Sequence, residues 1–235
     1  NTAIKWRFGS EMGMSEEGGR VFRDLKALKS ALTQYSWQKV ALASVAGEEF
    51  DLSLIEWLTY ENEFDVWQAR PEPIFQGLTT VYAEPESMGI DRWLSMLAVW
   101  FDFNQSSCVI DAGTASTIDI VSSTGQHQGG YIIPGPELMQ KVLFSQTALV
   151  QVTDYRSPDL KLGDSTCGCV GAGAWAATVG AIRVTLESFP ENRVVLTGGN
   201  AGALLALGLS CEHRPYLVLE GLRVWLAKQL DVQSR

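Results

Sequence analysis

The stretch over residues 108–136 constrains the fold most. Cys108-Val109-Ile110 is a continuous apolar run, Asp111-Ala112-Gly113-Thr114 a turn, and residues 116–121 a second strand-forming run. Ser122-Ser123-Thr124-Gly125 makes another turn, and Tyr131-Ile132-Ile133 a third run closed by Pro134-Gly135-Pro136. Apolar, β-branched runs punctuated by Gly, Asp and Ser predict an antiparallel meander.

Upstream the pattern changes. Val40-Ala41-Leu42-Ala43-Ser44-Val45 reads as a strand, residues 48–60 as an amphipathic helix and Phe64-Asp65-Val66-Trp67 as a second strand. Strand, helix and strand within some thirty residues predict a βαβ unit with a parallel pair. Leu94, Leu97, Ala98 and Phe101 fall at helical spacing, which predicts a helix beginning just after Asp91. Beyond the meander, helices are predicted over residues 137–145, 168–187, 201–207 and 221–229, with Val194-Val195-Leu196-Thr197 as a strand. Thr2-Ala3-Ile4 faintly echoes Thr114-Ala115-Ser116-Thr117-Ile118. With a strand-turn-strand opening in each half, the echo suggests a duplicated lobe, divided as residues 1–104 and 105–235. Asn1 opens in mid-pattern, so the first strand of the first lobe is expected to be missing.

Composition narrows the function. Eighteen basic against 27 acidic side chains leave a net charge of −9, which disfavours a nucleic-acid partner. The four cysteines include Cys167-Gly168-Cys169, a spacing unlike common zinc or redox sites, and point to reduced thiols in a cytoplasmic protein. No apolar run of the roughly 20 residues needed to span a bilayer is read from the sequence, so no membrane role is expected.

Three motifs carry chemistry. Asp111-Ala112-Gly113-Thr114-Ala115-Ser116-Thr117 is either a plain hairpin turn or a phosphate loop, its glycine admitting a phosphate to the backbone and its Asp holding a cation beside it. Thr197-Gly198-Gly199-Asn200 is either a strand-to-helix turn or a nucleotide contact. It has neither the dinucleotide fingerprint nor the P-loop lysine. Asp91 in Gly89-Ile90-Asp91-Arg92 is either an N-cap or the group that accepts a substrate hydroxyl proton. Arg92 is either a surface ion-pair partner or an anion binder. His127, on a meander strand, reads as a polar, solvated side chain, and His213 is blander still.

Taken in order, these motifs resemble those of the type III pantothenate kinases, a branch of the superfamily that holds acetate kinase, sugar kinases, chaperones and actin. Asn1-Thr2-x-x-Lys5-Trp6 resembles the tail of the family's first phosphate motif, whose Asp and Gly would precede Asn1. Tyr82-x-x-Pro85 with Gly89-x-Asp91-Arg92-Trp93 resembles its substrate motif. Asp111-x-Gly113-Thr114-Ala115-x-Thr117-x-Asp119 with Gly129-Gly130-x-Ile132-x-Pro134-Gly135 resembles its central signature. Thr197-Gly198-Gly199 and Leu219-Glu220-Gly221-Leu222 complete the series.

The resemblance implies an α/β fold of two duplicated ribonuclease H-like, actin-like ATPase lobes with mixed sheets and a cleft between them. It implies ATP-dependent phosphorylation of pantothenate to 4'-phosphopantothenate, the first step of coenzyme A biosynthesis, in a complete protein that carries the missing Asp and Gly. Asp91 would be the general base. Tyr82, Gly89, Ile90, Asp91, Arg92 and Thr166 would contact pantothenate, and Asn1, Thr2, Lys5, Thr114, Gly198 and Gly199 would contact ATP. Asp111 would hold a monovalent cation (K+ or NH4+), with Mg2+ on the nucleotide and a homodimer completing the substrate pocket. Two alternatives stand beside this one: a related small-molecule kinase, and a non-enzymatic regulatory or accessory protein on the same fold.

Overall fold

The βαβ pattern of residues 40–67 forms as expected in the computed structural model, which describes residues 4–10, 13–18, 25–32, 39–61, 63–146 and 158–233. Along the chain run β1 (Arg7–Ser10), β2 (Gly13–Gly18), α1 (Leu25–Leu32), β3 (Lys39–Leu42), α2 (Glu48–Glu56), β4 (Asp65–Gln68), β5 (Ile74–Phe75), β6 (Leu78–Thr79) and α3 (Ile90–Phe103). Then come β7 (Ser107–Ala112), β8 (Ala115–Val121), β9 (His127–Pro134), α4 (Pro136–Gln146), α5 (Thr166–Ser188), β10 (Arg193–Thr197), α6 (Ala201–Ala206), β11 (Glu212–His213) and α7 (Leu217–Gln233). The described residues divide into two compact units, one within Asn1–Glu72, Glu84–Ala98 and Leu217–Arg235, the other within Pro73–Ala83 and Val99–Tyr216.

In the first unit β3 and β4 pair in parallel, Lys39 opposite Asp65. The Lys39 ammonium, 2.8 Å from the Asp65 carboxylate, holds that carboxyl below its ordinary range. The core of this unit gathers Leu28, Leu32, Leu54, Trp57 and Leu58, with Trp6, Val40 and Val66 against it. Two indoles converge on one acidic residue: Trp93 Nε1 donates to the Glu72 carbonyl at 3.2 Å and Trp225 Nε1 to Glu72 Oε1 at 3.0 Å. The start of α3 and α7 approach each other most closely at Gly221, where an added Cβ would lie 2.0 Å from the Leu94 carbonyl oxygen.

The second unit is built on a five-stranded mixed sheet ordered β11-β10-β7-β8-β9. β7 is its centre, parallel to β10 and antiparallel to β8, so both its edges are paired, and consecutive Cys108, Val109 and Ile110, which point to alternate faces, are all buried. The predicted meander is therefore borne out, as are the later helices and strands. β9, on the edge, ends at Pro134, a residue that an edge tolerates because it has no N–H to offer the ladder. Burial pushes the Cys108 thiol up to about 12, with the negative charge of Asp119 adding to it.

Three boundaries differ from expectation. α3 starts at Ile90, which puts Asp91 inside its first turn, β9 starts at His127, four residues before the predicted Tyr131, and α7 starts at Leu217, four residues before the predicted Gly221. A further difference is larger. α5 runs 23 residues with a window of mean hydropathy 1.4, long and apolar enough to cross a membrane, where the sequence reading found no such run. Its glycines and alanines dilute the apolar signal along the chain. The buried residues Gly171, Ala174, Trp175, Thr178, Ile182 and Thr185 recur every three or four positions and make one face. Trp175 and Ile182 of that face belong to the core formed with β7, β8 and β10.

Close backbone packing at Gly221 yields a stability prediction. Gly221→Ala should cost about 1–3 kcal/mol, because its Cβ meets main chain that cannot swing away. Gly202→Ala, at a position with nothing within 4 Å, should be neutral or slightly stabilising. Urea unfolding of the two variants beside the parent checks both.

Candidate active site

In parallel α/β sheets, ligands bind outside the carboxyl ends of the strands, where neighbouring chains turn away. β7 and β10 are parallel neighbours and reach that edge together, Asp111 paired with Thr197. Each strand gives way to a turn containing glycine, and the two turns pack on each other. The Asn200 N–H donates to the Ala112 carbonyl at 2.8 Å. Gly198 has φ +98, and a Cβ on it would lie 2.5 Å from both Asp111 Oδ1 and the Ala112 carbonyl carbon. Only glycine fits there. Gly199 faces open space. α6 has only six residues, so the turn amides and not a long helix dipole face whatever binds here.

A third segment closes the other flank. The Gly135 N–H donates to the Thr114 carbonyl at 2.8 Å, and a Cβ on Gly135 would fall 2.4 Å from the Gly113 carbonyl oxygen. The expected nucleotide residues Thr114, Gly198 and Gly199 and the expected cation residue Asp111 are thus brought together in one unit. Asn200 and Gly135 complete the arrangement. Neither was assigned from sequence, although each stood within a quoted motif. Lys5 is exposed in the other unit, and Asn1 and Thr2 lie outside the described residues.

Asp111 is the carboxylate that a metal placed here would draw on. Among the described residues, no group of three or more His, Cys, Asp or Glu side chains gathers into a ready-made metal cage. A lone carboxylate at a glycine turn fits cations that arrive on phosphates, since Mg2+ keeps its waters and takes one or two carboxylates plus phosphate oxygens.

The expected substrate residues are split between the units. Gly89, Ile90, Asp91 and Arg92 open α3 in the first unit. Asp91 Oδ1 accepts the Arg92 N–H at 2.8 Å, and Gly89 leaves it room, because a Cβ there would sit 2.7 Å from that oxygen. Asp91 is half-buried, and as a first-turn carboxylate it also gains from the helix dipole. Arg92 is only 6% exposed, so it is not the surface ion-pair partner that was one of its two readings. Thr166, in the second unit, is the exposed first residue of α5, next to the N-cap Ser165 that accepts from Gly168 N.

Tyr82 belongs to the second unit, and long-range contacts hold its segment there. β5 and β6 form a hairpin whose two turn residues, Gln76 and Gly77, have φ +51 and +86, as a tight primed turn requires. Trp100 Nε1 donates to the Gln76 carbonyl at 3.1 Å, while the Thr79 N–H donates to the Gly125 carbonyl at 2.9 Å. Farther along, Tyr82 stacks on His127, ring centroids 6.0 Å apart and 26° between planes.

His127 corrects the sequence reading outright. It is fully buried, not solvated, and its Nε2 lies 3.0 Å from Asp119 Oδ1, with Asp119 buried as well. One of its contacts, the Tyr82 ring, lies 45 positions upstream, which no local pattern on the strand reveals. Gly130 makes room for the pair, since a Cβ there would lie 2.6 Å from Asp119 Oδ1. Removing one partner of such a buried hydrogen bond strands the other, at a cost of about 1–3 kcal/mol.

A family profile described as type III pantothenate kinase matches residues 1–188. The chain is 33% identical to the type III pantothenate kinase of Hahella chejuensis over 95% of its own length and 93% of that protein. It is 35% identical to that of Marinobacter nauticus over 94% and 93%. The chain belongs to the type III pantothenate kinase family. A solved structure described as a Baf family transcriptional activator from Campylobacter jejuni superposes with a TM-score of 0.63 at 21% identity, covering 93% of this chain and 94% of that one, a likeness of fold. The α/β class with a mixed sheet expected from the sequence holds. In this pantothenate kinase family member the paired strand ends of β7 and β10 carry the motif residues expected to handle the nucleotide.

If the two turns form one platform, Gly198→Ala should be costly and Gly199→Ala should not. Chemical denaturation should show a loss of about 1–3 kcal/mol for the first and less than about 0.5 kcal/mol for the second.

Proposed function

We propose that the chain transfers the terminal phosphoryl group of ATP to the primary hydroxyl of pantothenate, giving 4'-phosphopantothenate and ADP. The observation that carries this is the junction of the Asp111–Thr114 turn with the Gly198–Asn200 turn, in a chain whose relatives are named pantothenate kinases. Backbone amides of the two turns and the Thr114 hydroxyl bind phosphate oxygens, and the close approach of main chain at glycine leaves them space. Asp111 would hold a cation beside the phosphates, and bound Mg2+ with a monovalent ion, K+ or NH4+, would supply positive charge against the oxygens of the transferring group.

Asp91 accepts the proton of the attacking hydroxyl. A primary alcohol is a weak nucleophile, and a carboxylate within hydrogen-bond reach removes the proton as the phosphoryl group moves. Gly89 and the Arg92 N–H fix the position of that carboxylate. Arg92, Tyr82, Ile90 and Thr166 bind pantothenate, the guanidinium pairing with its carboxylate. Asn1, Thr2 and Lys5 contact ATP. The working form is a homodimer: β9 and α4 present Tyr131, Ile132, Val142 and Leu143 at 48–61% exposure, apolar surface of the kind that subunits cover. Four unpaired cysteines suit the reducing cytoplasm, where both substrates occur.

The test is turnover by the full-length enzyme with ATP, Mg2+ and a panel of hydroxylated acceptors. Pantothenate should be phosphorylated and sugars should not. Asp91→Asn should lower kcat by about 10²–10⁴-fold while leaving ATP affinity close to that of the parent. Phosphorylation of sugars alone would overturn the substrate assignment, and unchanged kcat in Asp91→Asn would overturn the base.

A further inference from the structure

We propose that His127 is a positioning residue for Tyr82, fixed by Asp119 so that the Tyr82 ring stands at one place for the substrate, an inference that rests on the pantothenate kinase reading above. The carboxylate and imidazole occupy the dry interior of the second unit, where neither can touch substrate: Asp119 is 1% exposed and His127 fully buried. One ring nitrogen of His127 meets Asp119 Oδ1 at 3.0 Å, and its other nitrogen, Nδ1, has no hydrogen-bond partner among the described residues. A structural histidine in a strand would ordinarily satisfy both nitrogens or be replaced by an apolar residue. Here the free edge is tolerated while the ring face is used.

That face supports Tyr82. The stack reaches across 45 residues of sequence and is the outermost contact of a series that fastens the segment. Trp100 holds the hairpin turn at Gln76, Gly125 holds Thr79 through its carbonyl, and Thr79 bridges to Gln126, the neighbour of His127. β6 ends at Thr79, and farther on Tyr82 N donates locally to Thr80 Oγ1 at 3.2 Å. The imidazole therefore anchors the segment beyond the point where its strand pairing stops. Gly130 fits the same arrangement: a Cβ there would lie 2.2 Å from the Ile118 carbonyl oxygen and 2.6 Å from the Asp119 carboxylate that orients the imidazole.

The experiment uses the full-length enzyme with His127→Gln, which keeps an N–H for Asp119 and removes the ring. Tyr82→Ala and the double variant complete a cycle. The expected result is a rise of about three- to tenfold in KM for pantothenate, the size of a lost aromatic contact. The KM for ATP and kcat should stay within about twofold, and the effect should vanish in the Tyr82→Ala background. Amide hydrogen exchange of Leu78–Tyr82, read without substrate, should accelerate in His127→Gln and stay unchanged in β7 and β8. Unaltered exchange of that segment, or an equal KM rise with and without Tyr82, overturns the proposal. Faster exchange with unchanged KM leaves His127 as the anchor and overturns Tyr82 as a pantothenate contact, so the two failures are distinguishable. Should His127→Gln not fold, Tyr82→Leu, at a half-buried position, reads the same coupling from the other side: it should raise KM to the same degree, and a KM equal to that of the parent overturns the proposal.

Discussion

Gly198 cannot carry a side chain because the Asp111 carboxylate and the Ala112 backbone already occupy the space, and much of the second unit depends on that contact. It requires β7 and β10 to be parallel neighbours in one register, with Thr197 opposite Asp111. A parallel pair needs a long crossover, and the meander with α4 and α5 supplies it. The two turns that result meet at the carboxyl edge of the sheet, where Gly199 faces open space. Asn200 and Gly135 secure the turns from either side through the Ala112 and Thr114 carbonyls.

A second set of constraints governs the segment of Tyr82. The β5–β6 hairpin contributes only four strand residues, too few to be stable alone. It is held by groups from the meander and from α3: the indole of Trp100, the Gly125 carbonyl and the His127 ring. Trp100 lies between two glycines, 3.3 Å from a Cβ built on Gly77 and 2.7 Å from one on Gly125. Glycine is thus used here to bring backbone and indole together, as it brings backbone and carboxylate together at Gly198 and Gly130.

The sequence made the local elements legible and left their long-range contacts unread. Continuous apolar runs marked β7 and β8, helical spacing marked α3, and the turn residues marked the loop after Asp111, because each signal lies within a dozen positions. The motif order carried the family. What no window contains is the partner of a side chain: His127 reads as solvated although it is fully buried against Asp119 and Tyr82, and the burial of Arg92 decides between two readings that the sequence left open. α5 escaped notice as a long apolar helix because its glycines and alanines pack without advertising hydrophobicity. The start of α7 at Leu217 was missed for the related reason that Gly221, a helix weakener by propensity, is kept there by close contact with Leu94.

The paired turns after β7 and β10, as the phosphate platform of a pantothenate kinase, are tested most directly by a crystal structure of the protein with pantothenate and a nonhydrolysable ATP analogue. The β- and γ-phosphates should rest on the amides of residues 113–114 and 198–199, with the pantothenate hydroxyl about 3 Å from an Asp91 carboxylate oxygen. Phosphates bound away from both turns, or a hydroxyl out of reach of Asp91, would contradict it.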